Sequence, residues 1–373
     1  MTRALPIAVA TLSSLALLSP AAAETNDWAV VPVTNGEMPS YMERIVAELR
    51  RELEGHDRQV WRSEDAAMRF ERESSTVAVE VSDKEIERWF RDSHAGVHHL
   101  AHGDQASALD RLARAERLSR TAAAELNRES PRAQRVLDTC LYMVRALLES
   151  AERPRAVAHS DDCARLVPRA SPAALMHPPA VLALYHQALA AGRKNVGGLL
   201  VDSSPSGCDV RVNGVLFGST PLETDELLTG EYSVQVECDG QHRGRVHLVK
   251  IGTDVSLLHV DDGFDRAVRT RPVLRLQYPK HGEGDRWLAD AQELARVLPA
   301  RMLVLVSTPT PNTISLALVS RNGIRRGCAW VKSPAGGPGP RSLSRAAETL
   351  FQGRCGALSA SNAGASQLFK PGI

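Results

Sequence analysis

Residues 205–214 read PSGCDVRVNG, and this stretch decides how the middle of the chain is interpreted. The apolar residues Cys208, Val210 and Val212 alternate with polar ones, which is the two-residue period of a half-buried β-strand. The pair Asn213-Gly214 is typical of a tight hairpin turn, because both residues tolerate positive φ. The stretch therefore predicts a strand, a two-residue turn and a returning strand.

The same pattern continues on both sides of this hairpin. Leu199-Leu200-Val201 predicts a preceding strand, and the segments 218–221 and 230–231 predict two further turns. Two more strands are expected at 246–251 and 255–260. The strand after the third turn carries four residues on its apolar face: Tyr232, Val234, Val236 and Cys238.

Residues 199 to about 262 resemble the PEGA domain. That family combines a Pro-Glu-Gly-Ala turn, a Val-x-Val-Asp-Gly strand end, a Gly-x-x-Pro turn and a Pro-Gly-x-Tyr strand start. The turn-motif residues that match are Pro205, Gly207, Asn213, Gly214, Gly218, Pro221, Gly230 and Tyr232. The chain departs from the pattern at Ser206, Cys208 and Thr229, but the residues that direct the backbone remain. The resemblance implies an antiparallel β-sandwich-like module at 199–265, of a kind found in bacterial envelope and surface proteins, and it brings no catalytic residue.

Between residues 81 and 195 the apolar period becomes helical. Ser82 and Glu85, three residues apart, are typical of a capping box at a helix start. One stretch resembles the second helix of a tetratricopeptide repeat through three residues: Ala108, Leu112 and Ala115. We therefore predict a helical, repeat-like region before the β module.

Two stretches of mixed strands and helices flank this middle part. Residues 24–80 predict a small α/β unit, in which Ser63 caps the second helix. Residues 270–355 predict a C-terminal α/β domain, and 356–373 a disordered tail. The fold class is therefore multidomain α+β, with an α/β N-terminal unit, helices, the PEGA module and a C-terminal α/β unit. We hypothesise that the two α/β pieces pair into one split domain.

Six cysteines occur as three neighbouring couples: Cys140 and Cys163, Cys208 and Cys238, and Cys328 and Cys355. Fifteen pairings are open to six thiols, and the sequence does not choose among them. The simplest arrangement is one disulfide within each couple. The first would join two helices, the second would join two strands, and the third would lie within the C-terminal unit. An even count favours disulfides in an oxidising compartment. No CxxC or Cys–His cluster of zinc spacing indicates a metal site.

The first 23 residues have the pattern of a signal peptide. A basic start, Met1-Thr2-Arg3, precedes an apolar run at 4–18, and Ala21 and Ala23 lie where a signal peptidase cleaves. A membrane anchor is the alternative, but the apolar run is shorter than the roughly 20 residues that span a bilayer. We expect an exported protein with no transmembrane segment after cleavage. The periplasm is the expected location, with an extracellular or surface-associated one as the alternative.

Neither the composition nor the motifs of the sequence point to a catalytic or ligand-binding site. The net charge of +1 and the 4% of aromatic residues argue against nucleic-acid binding. His98 and His102 have metal-compatible spacing but no third ligand, so we interpret them as structural. Asp261, Asp262 and Asp265 lack the spacing of a calcium loop and predict a solvated turn. We therefore predict no catalytic, cofactor-binding or metal-binding residue, although a Ser–His–Asp triad stays open because its members meet only in space.

Two functions are compatible with this sequence. The first is a non-catalytic cell-envelope scaffold or binding module, which presents helical and PEGA surfaces to an envelope protein or a cell-wall component. The alternative is an enzyme or small-ligand receptor. Its site would lie between the two α/β units at the carboxyl ends of their strands, near residues 33–35 and 306–308.

Overall fold

The computed structural model describes residues 28–173, 175–193, 196–279, 286–310, 312–322, 325–332 and 336–352. The predicted signal peptide and the predicted disordered tail lie outside the described residues. The predicted bond between Cys328 and Cys355 stays a prediction, because Cys355 also lies outside them.

The first segment contains β1 (Trp28–Asn35), α1 (Met42–Gly55) and α2 (Ser63–Glu73). The first seven residues of β1 are buried, as expected for a strand covered on both faces. Helix α1 buries one apolar stripe, which includes Ile45 and Leu49. The prediction that Ser63 caps α2 is wrong, because Arg62 occupies the capping position and its side chain makes no capping hydrogen bond.

The helical region follows, and it consists of α3 (Asp83–Ala101), α4 (Gln105–Thr121), α5 (Ala123–Leu126), α6 (Ser130–Glu149), α7 (Arg153–Leu166) and α8 (Pro179–Gly192). The predicted capping box is present at the start of α3, where Ser82 and Glu85 each accept from the other's backbone N–H. Apolar residues of these helices share one core. The predicted disulfide between Cys140 and Cys163 is confirmed and joins α6 to α7.

The β-sandwich consists of β2 (Val196–Ser204), β3 (Asp209–Val212), β4 (Val215–Ser219), β5 (Leu222–Leu228), β6 (Gly230–Glu237), β7 (His247–Ile251) and β8 (Ser256–Asp261). Its sheets have the orders β5-β2-β8 and β4-β3-β6-β7. Side chains from both sheets, among them Val201 and Val234, form one core. Strand pairing is antiparallel as predicted, except that β2 and β8 run parallel. The predicted disulfide between Cys208 and Cys238 is confirmed.

The last segment contains α9 (Asp262–Ala267), β9 (Val268–Arg269), β10 (Arg275–Tyr278), α10 (Trp287–Val297), β11 (Met302–Thr310), β12 (Thr313–Ser320), β13 (Arg325–Lys332) and α11 (Pro340–Phe351). Its strands join β1 in one six-stranded sheet of order β13-β12-β11-β1-β10-β9. Strand β1 lies between β10 and β11 and is parallel to both.

The two α/β pieces are therefore halves of one α/β domain. Helices α1 and α11 cover one face of its sheet, and α2, α9 and α10 cover the other. The apolar sequence of β1 explains why the halves join. A strand that is apolar on both faces is stable only between neighbouring strands and with helices covering both faces of the sheet. The helical region and the β-sandwich are inserted between the halves.

Among the helices of the described residues, none combines the length and the apolar character needed to cross a bilayer.

Candidate functional site

The Asn213-Gly214 turn connects β3 to β4 as predicted, with φ values of 47° and 85°. It also lies against the helical region, which the sequence did not indicate. A Cβ atom added to Gly214 would be 2.5 Å from the backbone oxygen of Ala124 in α5. The absence of a side chain therefore lets the turn reach the helix backbone.

Two asparagine side chains connect this turn to the end of α7. The Asn213 side-chain amide donates to the backbone oxygen of Arg165 over 3.0 Å, and that of Asn127 donates to the oxygens of Leu166 and Asn213. The last carbonyls of a helix lack partners within it, so these amides cap the carboxyl end of α7. The Asn213 side-chain oxygen accepts from the backbone N–H of Ser233, which holds the amide in place.

A charged cluster crosses the same boundary. Arg128 donates two hydrogen bonds of 2.8 Å to the carboxylate of Glu237, and Arg211 donates a third of 3.2 Å. Burial acts to raise the pKa of Glu237, but the hydrogen bonds and charges of the two arginines outweigh it and hold the pKa below its usual range. Arg128 comes from the helical region and the other two from the β-sandwich, so this cluster fixes one against the other.

A second buried cluster joins the β-sandwich to the α/β domain. The guanidinium of Arg245 donates to the side chain and the backbone oxygen of Ser75, at 2.8 and 2.6 Å. His247 lies 2.7 Å from one carboxylate oxygen of Asp265, and Ser75 donates to the other over 3.5 Å. In a catalytic triad the histidine stands between serine and aspartate. Here the aspartate is central, so the histidine is not placed to take the serine proton.

A cleft opens where the helical region and the β-sandwich meet. It has a volume of about 520 Å³ and is bounded by the segment Thr76–Val79, the ends of α4, α5 and α7, and strands β6 and β7. Thr76 exchanges two backbone hydrogen bonds of 2.8 Å with Val246, which fixes the segment along the β-sandwich. Val77, Val79 and Leu248 stand at this cleft with 57%, 50% and 59% of their surfaces exposed. The cleft thus has an apolar rim open to solvent.

The other turn-motif residues shape the turns of the β-sandwich, and Tyr232 belongs to its core. The backbone N–H of Gly207 donates to the backbone oxygen of Thr220. This hydrogen bond joins the turn that contains Pro205 to the turn that contains Pro221. The Tyr232 hydroxyl donates to the oxygen of Leu228 over 2.8 Å, and burial raises the pKa of Tyr232 to about 12. Three glycines of these turns have positive φ: Gly207, Gly218 and Gly230.

The histidines and aspartates singled out from the sequence have structural partners. His102 bonds the backbone oxygen of His98, one turn earlier in α3. Asp261 accepts from the backbone N–H of Phe264 and so caps α9. The prediction of a solvated turn is wrong for Asp265, which is buried beside His247. Burial also raises the pKa of Asp262, which is only partly exposed.

The strand ends proposed for the alternative function are largely closed. Thr34 and Ser307, at the carboxyl ends of β1 and β11, are 2% and 0% exposed. Their neighbour Asn35 is exposed. The cleft described above lies elsewhere, between the inserted parts.

Within the described part of the chain, one group of side chains that could hold a metal was not predicted from the sequence. Ligand atoms of Cys140, His159 and Cys163 lie within 4.8 Å of one another. The residues come from two helices, and only the four-residue spacing of the last two could have indicated the group.

Residues 196–248 match the family model of the PEGA domain, so this chain contains a PEGA domain. The match confirms the resemblance identified from the turn residues, and it ends within β7, before β8. No curated protein and no solved structure shows a significant match to the chain.

Proposed function

We propose that this protein is an exported, non-catalytic component of the cell envelope, which binds an extended segment of a partner protein in the cleft. The observation that carries this proposal is the apolar rim of Val77, Val79 and Leu248 at a cleft of about 520 Å³. Exposed apolar side chains gathered at a concave surface are typical of interaction sites.

The chemistry of the cleft favours a protein over a cell-wall glycan. Sugar rings are held by exposed aromatic faces, whereas the aromatic residue that lines this cleft, Tyr232, is 2% exposed. Four of the charged residues at the cleft are paired: Asp162 bonds both Arg120 and Arg165, and Glu125 bonds Arg243. The remaining charged residue of its lining, Glu231, is exposed to solvent. An uncharged, apolar segment therefore suits this surface best.

Export is supported by two features. The first 23 residues have the pattern of a signal peptide. The two disulfides are consistent with an oxidising compartment. The absence of a catalytic role is supported by the buried cluster of Ser75, Asp265 and His247, whose order does not activate the serine.

Site-specific photo-crosslinking tests this function. A photoreactive residue at position 79, in the full chain expressed in its native envelope, is expected to give a discrete adduct with one protein. The double variant Val77→Ser/Leu248→Ser is expected to reduce that adduct at least about fivefold at unchanged thermal stability, since both residues are exposed.

The matched control places the photoreactive residue at Leu257, which is exposed on β8 of the other sheet. Equal adducts from both positions, or none from position 79, would contradict the proposal. Cosedimentation with purified cell-wall sacculi is a second measurement. If the protein sediments with the sacculi and the double variant sediments equally well, the proposal is contradicted and a glycan partner is favoured.

A further inference from the structure

The disulfide between α6 and α7 lies beside a hydrogen-bonded pair of polar side chains, His159 and Glu116. Cys140 and Cys163 are fully buried. His159 precedes Cys163 by one turn of α7, and one of its ring nitrogens lies within 4.8 Å of both sulfurs.

A carboxylate from a third helix fixes the histidine ring. His159 Nε2 forms a short hydrogen bond to Glu116 of α4, and both side chains are largely shielded from solvent. A carboxylate accepts from a ring N–H, and in the tautomer that carries this hydrogen on Nε2 the Nδ1 atom offers a lone pair to a metal. This carboxylate–histidine arrangement is the one that orients metal-binding histidines in proteins.

Two thiolates and one imidazole are the ligands that zinc prefers. Zinc is bound by thiolates, so the bond must be reduced before the sulfurs can bind the ion. Two Zn–S bonds of about 2.3 Å at a tetrahedral angle place the sulfurs about 3.8 Å apart. The Cα atoms of the two cysteines are 5.7 Å apart, and rotation of the reduced side chains adjusts the separation of the sulfurs.

We propose that the reduced chain binds one zinc ion through Cys140, Cys163 and His159, with Glu116 orienting the histidine, and that disulfide formation expels the ion. A dithiol reductant gives two electrons and two protons to the disulfide, which leaves two thiols and oxidises the dithiol to its own disulfide. Zinc binding releases the two thiol protons. Oxidation by an acceptor disulfide takes two electrons from the thiolates, reforms the bond and releases Zn²⁺, while the acceptor takes up two protons from water and becomes a dithiol. The site is independent of the cleft, and its metal holds α6 against α7 in the reduced chain.

Cobalt binding tests the site. The full chain, with Cys208, Cys238, Cys328 and Cys355 replaced by Ser, is purified from a reducing cytosol in a non-chelating phosphine and titrated with Co²⁺. We expect one Co²⁺ per chain, sulfur-to-cobalt charge-transfer bands in the near ultraviolet, and loss of these bands on addition of Zn²⁺. The oxidised form of the same protein is expected to show none of these bands.

Three variants assign the ligands. His159→Ala is expected to weaken Co²⁺ binding at least tenfold, and Glu116→Gln about 10–100-fold through loss of ring orientation. His186→Ala, on α8, is the matched control and is expected to change nothing. Absence of thiolate–cobalt bands from the reduced chain, or bands that His159→Ala leaves unchanged, would overturn the proposal. If the reduced chain unfolds, circular dichroism measures its helix content with and without zinc. Recovery of helix on addition of zinc supports the site, and no recovery contradicts it.

Discussion

At the residue scale, Asn213 serves two structures at once. It occupies the positive-φ position of a hairpin turn, and its amide caps the carboxyl end of α7. The first role follows from the sequence, because Asn-Gly is the strongest short-range hairpin signal. The second depends on where a distant helix ends, and no local pattern carries that information.

A comparison of two glycine positions separates two free-energy costs: that of the close contact between Gly214 and Ala124, and that of placing an alanine at positive φ. Gly207 and Gly214 both have φ of 85°, but a Cβ at Gly207 meets nothing within 4 Å, whereas at Gly214 it meets the backbone of Ala124. Gly207→Ala is expected to lower the free energy of unfolding by about 1–2 kcal/mol, the cost of a left-handed alanine. Gly214→Ala is expected to cost a further 1–3 kcal/mol, roughly, since the turn must move off α5. Denaturant unfolding measures both, and equal losses would show that the contact contributes nothing.

Glu237 makes the stability depend on pH in the acid range. Its pKa is lowered in the folded protein despite burial, because Arg128 and Arg211 bond the charged form. A lowered pKa means that its contribution is fully present above the unfolded value of about 4.3 and is lost as the pH falls toward the folded value. We expect Glu237→Gln to be less stable at pH 7 by about 3 kcal/mol. Its unfolding free energy is also expected to fall less steeply below about pH 5.

Urea titrations between pH 7 and pH 3 check this expectation. Glu231→Gln, an exposed residue on the same strand, serves as the control and is expected to follow the wild-type profile. Parallel profiles for Glu237→Gln and the wild type would show that the cluster of Glu237 and its arginines adds no acid dependence.

At the element scale, the disulfides join pairs that the periodicity already defined. Cys140 and Cys163 lie on the inner faces of neighbouring helices, and Cys208 and Cys238 adjoin neighbouring strands. Pairing within each couple was the simplest arrangement among those the sequence left open, because each couple lies within one type of periodicity, and the structure selects it. The group formed with His159 had only the four-residue spacing from Cys163 as a local signal. Its partner Glu116 comes from α4, and no local pattern places that helix beside α7.

Removing either bond is expected to destabilise only its own part of the molecule. The bonds close loops of 23 and 30 residues, and each is worth about 3–4 kcal/mol by loop entropy. Cys140→Ala/Cys163→Ala and Cys208→Ala/Cys238→Ala are each expected to lose that amount in chemical unfolding. Each removal is expected to shift the unfolding of its own part and to leave the other part unchanged, because the bonds lie in separate cores. A single transition in which the two losses add would show that the two parts unfold as one.

At the scale of the whole molecule, the chain is one α/β domain with two inserted parts. Strand β1 pairs with strands that follow it by more than two hundred residues, since Trp28 stands beside Met302. The ends of the insertion are close, because Ser75 bonds Asp265 and Glu71 accepts a 2.6 Å hydrogen bond from Thr270. The insertion therefore leaves and re-enters the α/β domain at nearly one place.

This arrangement predicts that the insertion can be removed. Replacing residues 77–261 by a Gly/Ser linker of about six residues is expected to give a chain that folds cooperatively, because both faces of the six-stranded sheet keep their helices. The isolated segment 24–80 is expected to be unfolded, since β1 then lacks both neighbouring strands. Circular dichroism and thermal unfolding compare the two. A folded 24–80 fragment, or an unfolded excised chain, would contradict the single-domain arrangement.

The sequence by itself determined the PEGA turns, the helical character of residues 81–195, the placement of the cysteines in neighbouring couples and the alternation of strands with helices at both ends. These are local properties, set by periods of two or 3.6 residues and by residues that allow unusual φ. Only the tertiary structure decided that Asn213 caps α7, that the cleft forms beside Val77 and Leu248, and that β1 lies at the centre of a distant sheet. Such contacts join residues far apart in the chain, and their free energy comes from burial and polar pairing that exist only after the parts have packed.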